Sequence, residues 1–394
     1  MNEDEISRRD AVKLAALLTA AGALPFLDAF KARADTANEP LKIGYLPITD
    51  ATPLLVAHAN GLFKDEGIDA EKPVLFRSWA QLAEAFISGQ VNAVHVLSPI
   101  AAWARYGSKV PAKIVAWNHT AGSALTVGKD IHSVRDLGGK TVAIPFWYSI
   151  HNVVLQELLR ANGLHPVTKK AELAPDEVGL IVQPPSDMVP ALASKRIAGY
   201  IVAEPFNAAG EALGVGKILR FTGDVWRDHA CCVVLLHEKN LNGRPEWSQK
   251  VVNAIVKAQL WVRANRPETA KLLSKDGSNK YTPHPVDILE KVLAPGKTDI
   301  SAYLASGAIL HPDWNEQRID FQPYPYPSYT EALIGLLKKT LIEGDKSFLE
   351  SLDPAFVARD LVDDRFVKAS IIANGGLSAF GLAESFDRKE VIVT

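Results

Sequence analysis

The sequence predicts an α/β protein of two lobes, each built on a mostly parallel sheet flanked by helices, with the chain crossing between them twice. Three observations carry this. Strand-like and helix-like segments alternate from residue 41 onward, a second such series begins after "SALTVG" (123–128), and 394 residues that are 47% hydrophobic suit two cores better than one.

The first series opens with the apolar strand "LKIGYLP" (41–47), followed by the helix "TPLLVAHANGLF" with Thr52 as N-cap and Pro53 just inside. "KPVLF" is the next strand. "SWAQLAEAFISG" starts on a Ser78-x-x-Gln81 capping box and stops at Gly89, and "VNAVHVL" then runs into the helix "SPIAAWARYG" at Ser98. In the second series "KTVAIPF" is a strand, and "SIHNVVLQELLRANG" a helix capped by Ser149 and closed by Gly163. Strand "GLIVQPP", helix "SDMVPALASKR", strand "IAGYIVAEP" and helix "PFNAAGEALG" follow, and "CCVVLLHEKNL" reads as the strand that returns the chain to the first lobe. Beyond Pro245 the pattern is helical, with amphipathic stretches at 248–275 and 329–344 around an extended "FQPYPYPSY".

Residues 1–34 read as an export signal: paired Arg8 and Arg9, a short apolar run from Leu14 to Leu27, and a small-residue "ARA" site before Asp35. The twin arginines favour the Tat route to the periplasm, and the apolar run is too short to span a bilayer. The expected division is therefore residues 35–125 for the first part of lobe one, 126–232 for lobe two, and 233–394 for the completion of lobe one and the C-terminal helices. Five acidic and five basic side chains in the leader cancel, so the net charge of −2 holds for the remainder as well. Such balance excludes an electrostatic footprint for nucleic acid or an anionic membrane. The expectation is a monomer without stable membrane insertion.

In open α/β sheets ligands sit beyond the carboxyl ends of the strands, where helix N-termini present free N–H groups. Those ends carry Asp50, Thr52, Ser78, Trp79, Ser98, Phe146, Trp147, Tyr148, His151 and Glu204, with Asn118 and His119 in the first crossing. The three consecutive aromatic residues ahead of a helix are unusual for a turn and suit a cleft wall or hinge-side packing. His151 in the first helical turn is placed to donate to an oxyanion or to accept from a ring N–H, unless it serves only as a cap. Asp50 reads either as a turn former or, together with Glu204, as a partner for a cationic or amine-bearing ligand. Cys231 and Cys232 are the only cysteines, and strand alternation would turn one inward and one outward. Buried inert thiols, a vicinal disulfide and a Cys231 thiol at the ligand site all remain open. Neither CxxC spacing nor a His/Cys cluster is present, so no structural zinc site and no cofactor are expected.

"KIGYLPITDATPLLVAHANGLFKDEGID" resembles the opening of the nitrate/sulfonate/bicarbonate (taurine-type) periplasmic solute-binding proteins of ABC importers, in the NMT1/THI5-like superfamily. "SWAQLAEAFISGQVNAVHV", "DLGGKTVAIP", "LRANGLHP" and "GYIVAEPF" extend the likeness over about residues 41–265. The resemblance implies the type II periplasmic binding protein fold, a small solute held between the lobes, and a membrane permease as partner. In nitrate-binding members a Trp follows the second strand, which is the position of Trp79, and an Asn-Gln pair opens the lobe-two helix. Here that turn is Trp147, Tyr148, Ser149, Ile150 and His151, bulkier and without the Gln. Lys297 is a further candidate for a basic ligand residue. The expected ligand is a small organic anion or zwitterion, with a flat pyrimidine-like ring as the alternative. An enzyme like the thiamin-pyrimidine synthases is a third reading, echoed only in "HACC".

Overall fold

The computed structural model describes residues 39–314 and 318–394. The expected leader and its cleavage site lie outside them. Among the described residues no helix is long and apolar enough to cross a membrane.

Two sheets form the framework. The first takes β1 (Ile43–Tyr45), β2 (Val74–Leu75), β3 (Ala93–Leu97), β4 (Ala112–Trp117) and β12 (Cys232–His237) in the order β2-β1-β3-β12-β4. The second takes β6 (Ser123–Val127), β7 (Lys140–Ile144), β8 (His165–Val167), β9 (Glu177–Val182), β10 (Gly199–Ala203) and β11 (Lys217–Phe221) in the order β11-β6-β10-β7-β9-β8. A short ribbon, β5 (Thr120–Ala121) with β13 (Ile319–Asp320), lies at the first crossing.

The parallel pairing expected from βαβ alternation holds for β2-β1-β3 and for β10-β7-β9-β8. Each sheet also contains one reversed strand. β12 runs antiparallel between β3 and β4, and β6 runs antiparallel between β10 and β11. β3 and β10 are buried throughout, which is why their sequences show long apolar runs rather than alternation.

Helices pack on these sheets as the amphipathic spacing predicts. α1 (Thr52–Ala59) follows β1, α2 (Trp79–Ile87) follows β2, α3 (Ser98–Ala102) follows β3, and α4 (Ile150–Ala161) follows β7. α2 and α4 begin on Ser78 and Ser149, whose hydroxyls accept from Gln81 N–H (3.3 Å) and Asn152 N–H (3.0 Å). Thr52 differs from expectation. It is the first helical residue, and its hydroxyl donates to Thr49 O (2.5 Å), because a 3-10 turn at Thr49–Ala51 already bends the chain into the helix.

The amphipathic 248–275 stretch is two helices, α5 (Pro245–Ala264) and α6 (Arg266–Leu273), broken at the non-helical Asn265, two residues before Pro267, which has no N–H to continue the α5 ladder and sits in the first turn of α6. α5 packs across α1, and Gln259 on it donates to Trp117 O (2.9 Å) and Asn118 O (3.0 Å), fixing the first crossing. The 321–326 segment is extended as expected, but buried: Trp117 N–H donates to Pro323 O (2.8 Å) and the Tyr326 ring meets Trp117 edge-on.

Candidate functional site

The loops after β1 and β10 face each other from the two lobes. Thr49 donates to Glu204 O through both its N–H (2.9 Å) and its hydroxyl (3.1 Å). One residue on, Asp50 is fully buried and is not the surface turn its type suggests. Three groups converge on its Oδ2: His119 Nε2 at 3.0 Å, Cys232 Sγ at 3.1 Å and Cys231 Sγ at 3.4 Å. The Asn118 side chain donates to the Asp50 carbonyl. His119 Nε2 is also 3.2 Å from the Cys232 N–H.

Both cysteines therefore reach the same carboxylate, against the alternation expected for a strand. Ladder pairing begins only at Cys232, opposite Leu97, so Cys231 precedes the register that would have turned it away. Both thiols are free and buried. From Cys231 the cluster extends into the second lobe: its sulfur lies 3.7 Å from Ser123 Oγ and 3.8 Å from His151 Nε2, and those two are 2.9 Å apart. His151 thus comes from the first turn of α4, as the sequence placed it, and faces the second crossing.

Ionisation in this cluster is shared. Burial raises the Asp50 carboxyl to about 6 even though His119 pulls it the other way. Burial also disfavours the His119 cation, yet the Asp50 charge and hydrogen bond, with help from Cys231, lift it to about 10. Near neutral pH the two form a buried ion pair. Burial opposes ionisation of Cys231, but the Cys232 thiol, His151 and His119 outweigh it and hold Cys231 well below the ordinary thiol range. Cys232 is pushed well above it, first by burial and then by Cys231 and Asp50, so it keeps its proton.

Trp79 occupies the adjacent position in the first lobe, its ring edge-on to His95 with centroids 5.5 Å apart. His95 Nε2 accepts from Leu46 N–H (3.1 Å), and burial, followed by the His119 charge, depresses it to about 3. It is therefore a neutral imidazole carrying its proton on Nδ1. Several buried polar atoms have no hydrogen-bond partner among the described residues: Trp79 Nε1, His95 Nδ1, His151 Nδ1, Asp50 Oδ1 and Asn118 Oδ1 in or beside this cluster, and Trp147 Nε1 on the loop that leads into α4.

The remaining predicted residues are committed elsewhere. Glu204 is paired with the buried Arg318 and accepts from Ala208 N–H (3.1 Å). Ser98 Oγ lies 2.6 Å from Tyr329 OH, and Tyr329 donates to Ala230 O. Thr52 and Ser78 serve the backbone turns described above. Phe146 and Trp147 are buried, and Tyr148 stacks on Trp103 (5.9 Å) and donates to Asp345 O (3.2 Å), so its ring is occupied by lobe packing. Lys297 is exposed at the start of a helix (Lys297–Ser306). The sequence does not single out Ser123 or His95, and it offers only Cys231 of the cysteine pair for the site, whereas the structure brings all three of Ser123, Cys232 and His95 into the cluster; the one available signal was the buried strand run flanking each.

The two α/β sheets, with the chain crossing between them twice, form the fold of periplasmic binding proteins. It is shared with the periplasmic nitrate-binding protein NrtA of Synechocystis (TM-score 0.72, 18% identity, 89% of this chain and 92% of that one). It is shared also with a zinc-bound ligand-binding component of an ABC-type import system from Staphylococcus aureus (TM-score 0.64, 24% identity, 84% and 99%). The model of the NMT1-like family matches residues 34–275, and the chain belongs to that family. The nitrate/nitrite binding protein NrtA of Nostoc sp. is 27% identical over 256 residues, 59% of this chain and 56% of that protein. The match thus spans only about half the length of that relative.

Proposed function

We propose that this protein is the periplasmic solute-binding component of an ABC importer and takes up a small organic anion or zwitterion between its lobes. The observation that carries this reading is the set of unpartnered buried polar atoms in and beside the Asp50–His119 cluster, together with that of Trp147 on the loop before α4. Trp79 Nε1, Trp147 Nε1 and His95 Nδ1 are donors, whereas Asp50 Oδ1 and Asn118 Oδ1 are acceptors. An unmade hydrogen bond at a buried group costs about 1–3 kcal/mol, so a solute offering both oxygens and an N–H or ammonium group would repay several at once. A taurine-like sulfonate has that chemistry, and nitrate or bicarbonate has half of it. Kinship with nitrate-binding proteins supports the anion half.

In this reading Asp50, Trp79, His119, Trp147, His151 and Cys231 line or frame the solute. Thr52, Ser78, Ser98, Tyr148 and Glu204 hold the loops that present them. Closure is a population shift between open and closed lobes driven by the solute. The solute is released unchanged to a membrane permease, with no catalysis, and the leader directs a monomeric chain to the periplasm by the Tat route. Thermal-shift and calorimetric titration with taurine, alkanesulfonates, nitrate, bicarbonate and pyrimidines tests the reading. Stabilisation by a sulfonate or another oxyanion, weakened more by His151→Ala than by Trp147→Ala, supports it. The reverse order with a pyrimidine, or chemical conversion of the solute, overturns it.

A further inference from the structure

Four metal-ligating atoms meet where the loop after β1 faces both crossings: Asp50 Oδ2, His119 Nε2, Cys231 Sγ and Cys232 Sγ, all within 4.8 Å of one another and all in residues closed to solvent. They come from three separate segments, which is why no spacing in the sequence announces them. Around tetrahedral Zn²⁺, with bonds of about 2.0–2.3 Å, neighbouring donors sit roughly 3.4–3.8 Å apart. The approaches of 3.0, 3.1 and 3.4 Å to Asp50 Oδ2 open by about half an ångström or less to reach that spacing, and donors as far as 4.8 Å apart close by about 1 Å.

The protein's own hydrogen bonding leaves this cluster in competition. His119 Nε2 meets the Cys232 N–H, which needs a lone pair, and the Asp50 carboxylate, which needs a proton. One nitrogen cannot meet both demands. Coordination removes the conflict: the Nε2 lone pair goes to the ion, the carboxylate binds it too, and the Cys232 N–H is left to a thiolate sulfur. Two sulfurs with one imidazole and one carboxylate select against hard ions such as Mg²⁺ and Ca²⁺ and favour a borderline or soft ion in four-coordinate geometry.

We propose that Asp50, His119, Cys231 and Cys232 form a tetrahedral site for one thiophilic transition-metal ion, with Zn²⁺ the best match. On binding, the Cys232 thiol and the His119 imidazolium each give up a proton to solvent, so that two thiolates, one neutral imidazole and one carboxylate face the ion, and affinity falls as pH falls. The ion ties the Asp50 loop to both crossings. Through the contacts of Cys231 with Ser123 and His151 it also borders the second lobe, so occupancy favours the closed arrangement. The inference does not rest on which solute the lobes hold.

The test is anaerobic titration of the metal-free mature protein with Co²⁺ and then Zn²⁺. The expected result is one equivalent of Co²⁺ with thiolate-to-cobalt charge-transfer absorption and intense tetrahedral visible bands, displaced by one equivalent of Zn²⁺. Cys232→Ser and Asp50→Asn each weaken Zn²⁺ at least tenfold. Zinc-edge X-ray absorption on the unsubstituted protein, showing two sulfur neighbours, covers the case in which a variant fails to fold. Cobalt spectra without charge-transfer bands, or a zinc shell of nitrogen and oxygen only, overturn the proposal. Solute titrations fail or succeed separately, since they read a different ligand.

Discussion

Glu204 is the position where sequence and structure assign different work, and removing its carboxylate separates the two. Its side chain and that of Arg318 are 0% and 1% exposed, and the two are ion-paired. Truncating one partner of a buried pair leaves the other charge uncompensated, a loss of about 3–5 kcal/mol. Arg318 would retain a 3.6 Å approach to Glu211 and a 2.9 Å bond to Tyr303 OH, so Glu204→Ala should fall at the lower end, about 3 kcal/mol. With an unfolding entropy of about 2.1 cal/mol/K per residue over the roughly 350 described residues, that loss lowers Tm by roughly 4 °C. Calorimetric melting of Glu204→Ala, with Arg318→Met in the same background, reads it directly. The double variant should recover much of the loss, because the orphaned guanidinium is gone. Unchanged Tm in Glu204→Ala together with lost solute affinity would refute the scaffold role and return Glu204 to the ligand.

Acid should unfold the protein through its buried histidines. Burial lowers His95 to about 3 and His229 and His237 to about 4, from an ordinary value of 6.5. Below pH 6.5 the unfolded chain takes up protons that the native state refuses, so stability present above 6.5 is lost as pH falls toward 4. Asp50, raised to about 6, offsets one proton of the three, which leaves a net slope of about 3 kcal/mol per pH unit near pH 5. Urea midpoints at pH 7, 6 and 5 check this, and a flat profile contradicts it. A methyl added at Gly44 would stand 2.6 Å from Leu82 Cδ1 and 3.1 Å from Val91 Cγ2; Gly44→Ala should cost about 1–3 kcal/mol through overpacking, read as a lower melting temperature with solute specificity unchanged. Gln156→Ala removes this side chain's bonds to the N–H and the carbonyl of Leu341 (2.8 and 2.9 Å), leaving only the Asn152 amide on that carbonyl (3.1 Å), and should loosen the lobe-two helix against the C-terminal segment. Faster amide exchange along 150–161 is the readout, and unchanged protection contradicts it.

Much of the fold was legible because its signals are local. Apolar runs for β3, β7 and β10, serine caps at Ser78 and Ser149, and the return of the chain through β12 depend on periodicity and capping chemistry. The reversed placement of β6 and β12 was less visible, since strand direction is set by which neighbours a strand meets and not by its own residues. At the site, His151, Asp50 and Cys231 were legible by position at strand ends and helix starts. Cys232 and Ser123 were not. Whether a residue at the edge of a strand faces inward depends on where ladder pairing begins, and Cys231 lies one residue before it. Glu204 stood at a strand end like the others, but its partner Arg318 is far away in sequence, so its commitment to a buried pair had no local signature.

In the proposed function, buried polar groups from two lobes meet to hold a small solute. Native mass spectrometry of protein isolated from the periplasm without refolding tests it most directly. The expected result is a species heavier than the mature chain by one small oxyanion or zwitterion, recovered chemically unchanged on unfolding, and diminished in a His151→Ala variant that folds normally. The bare chain mass, together with no rise in Tm from any sulfonate, nitrate, bicarbonate or pyrimidine, would contradict it.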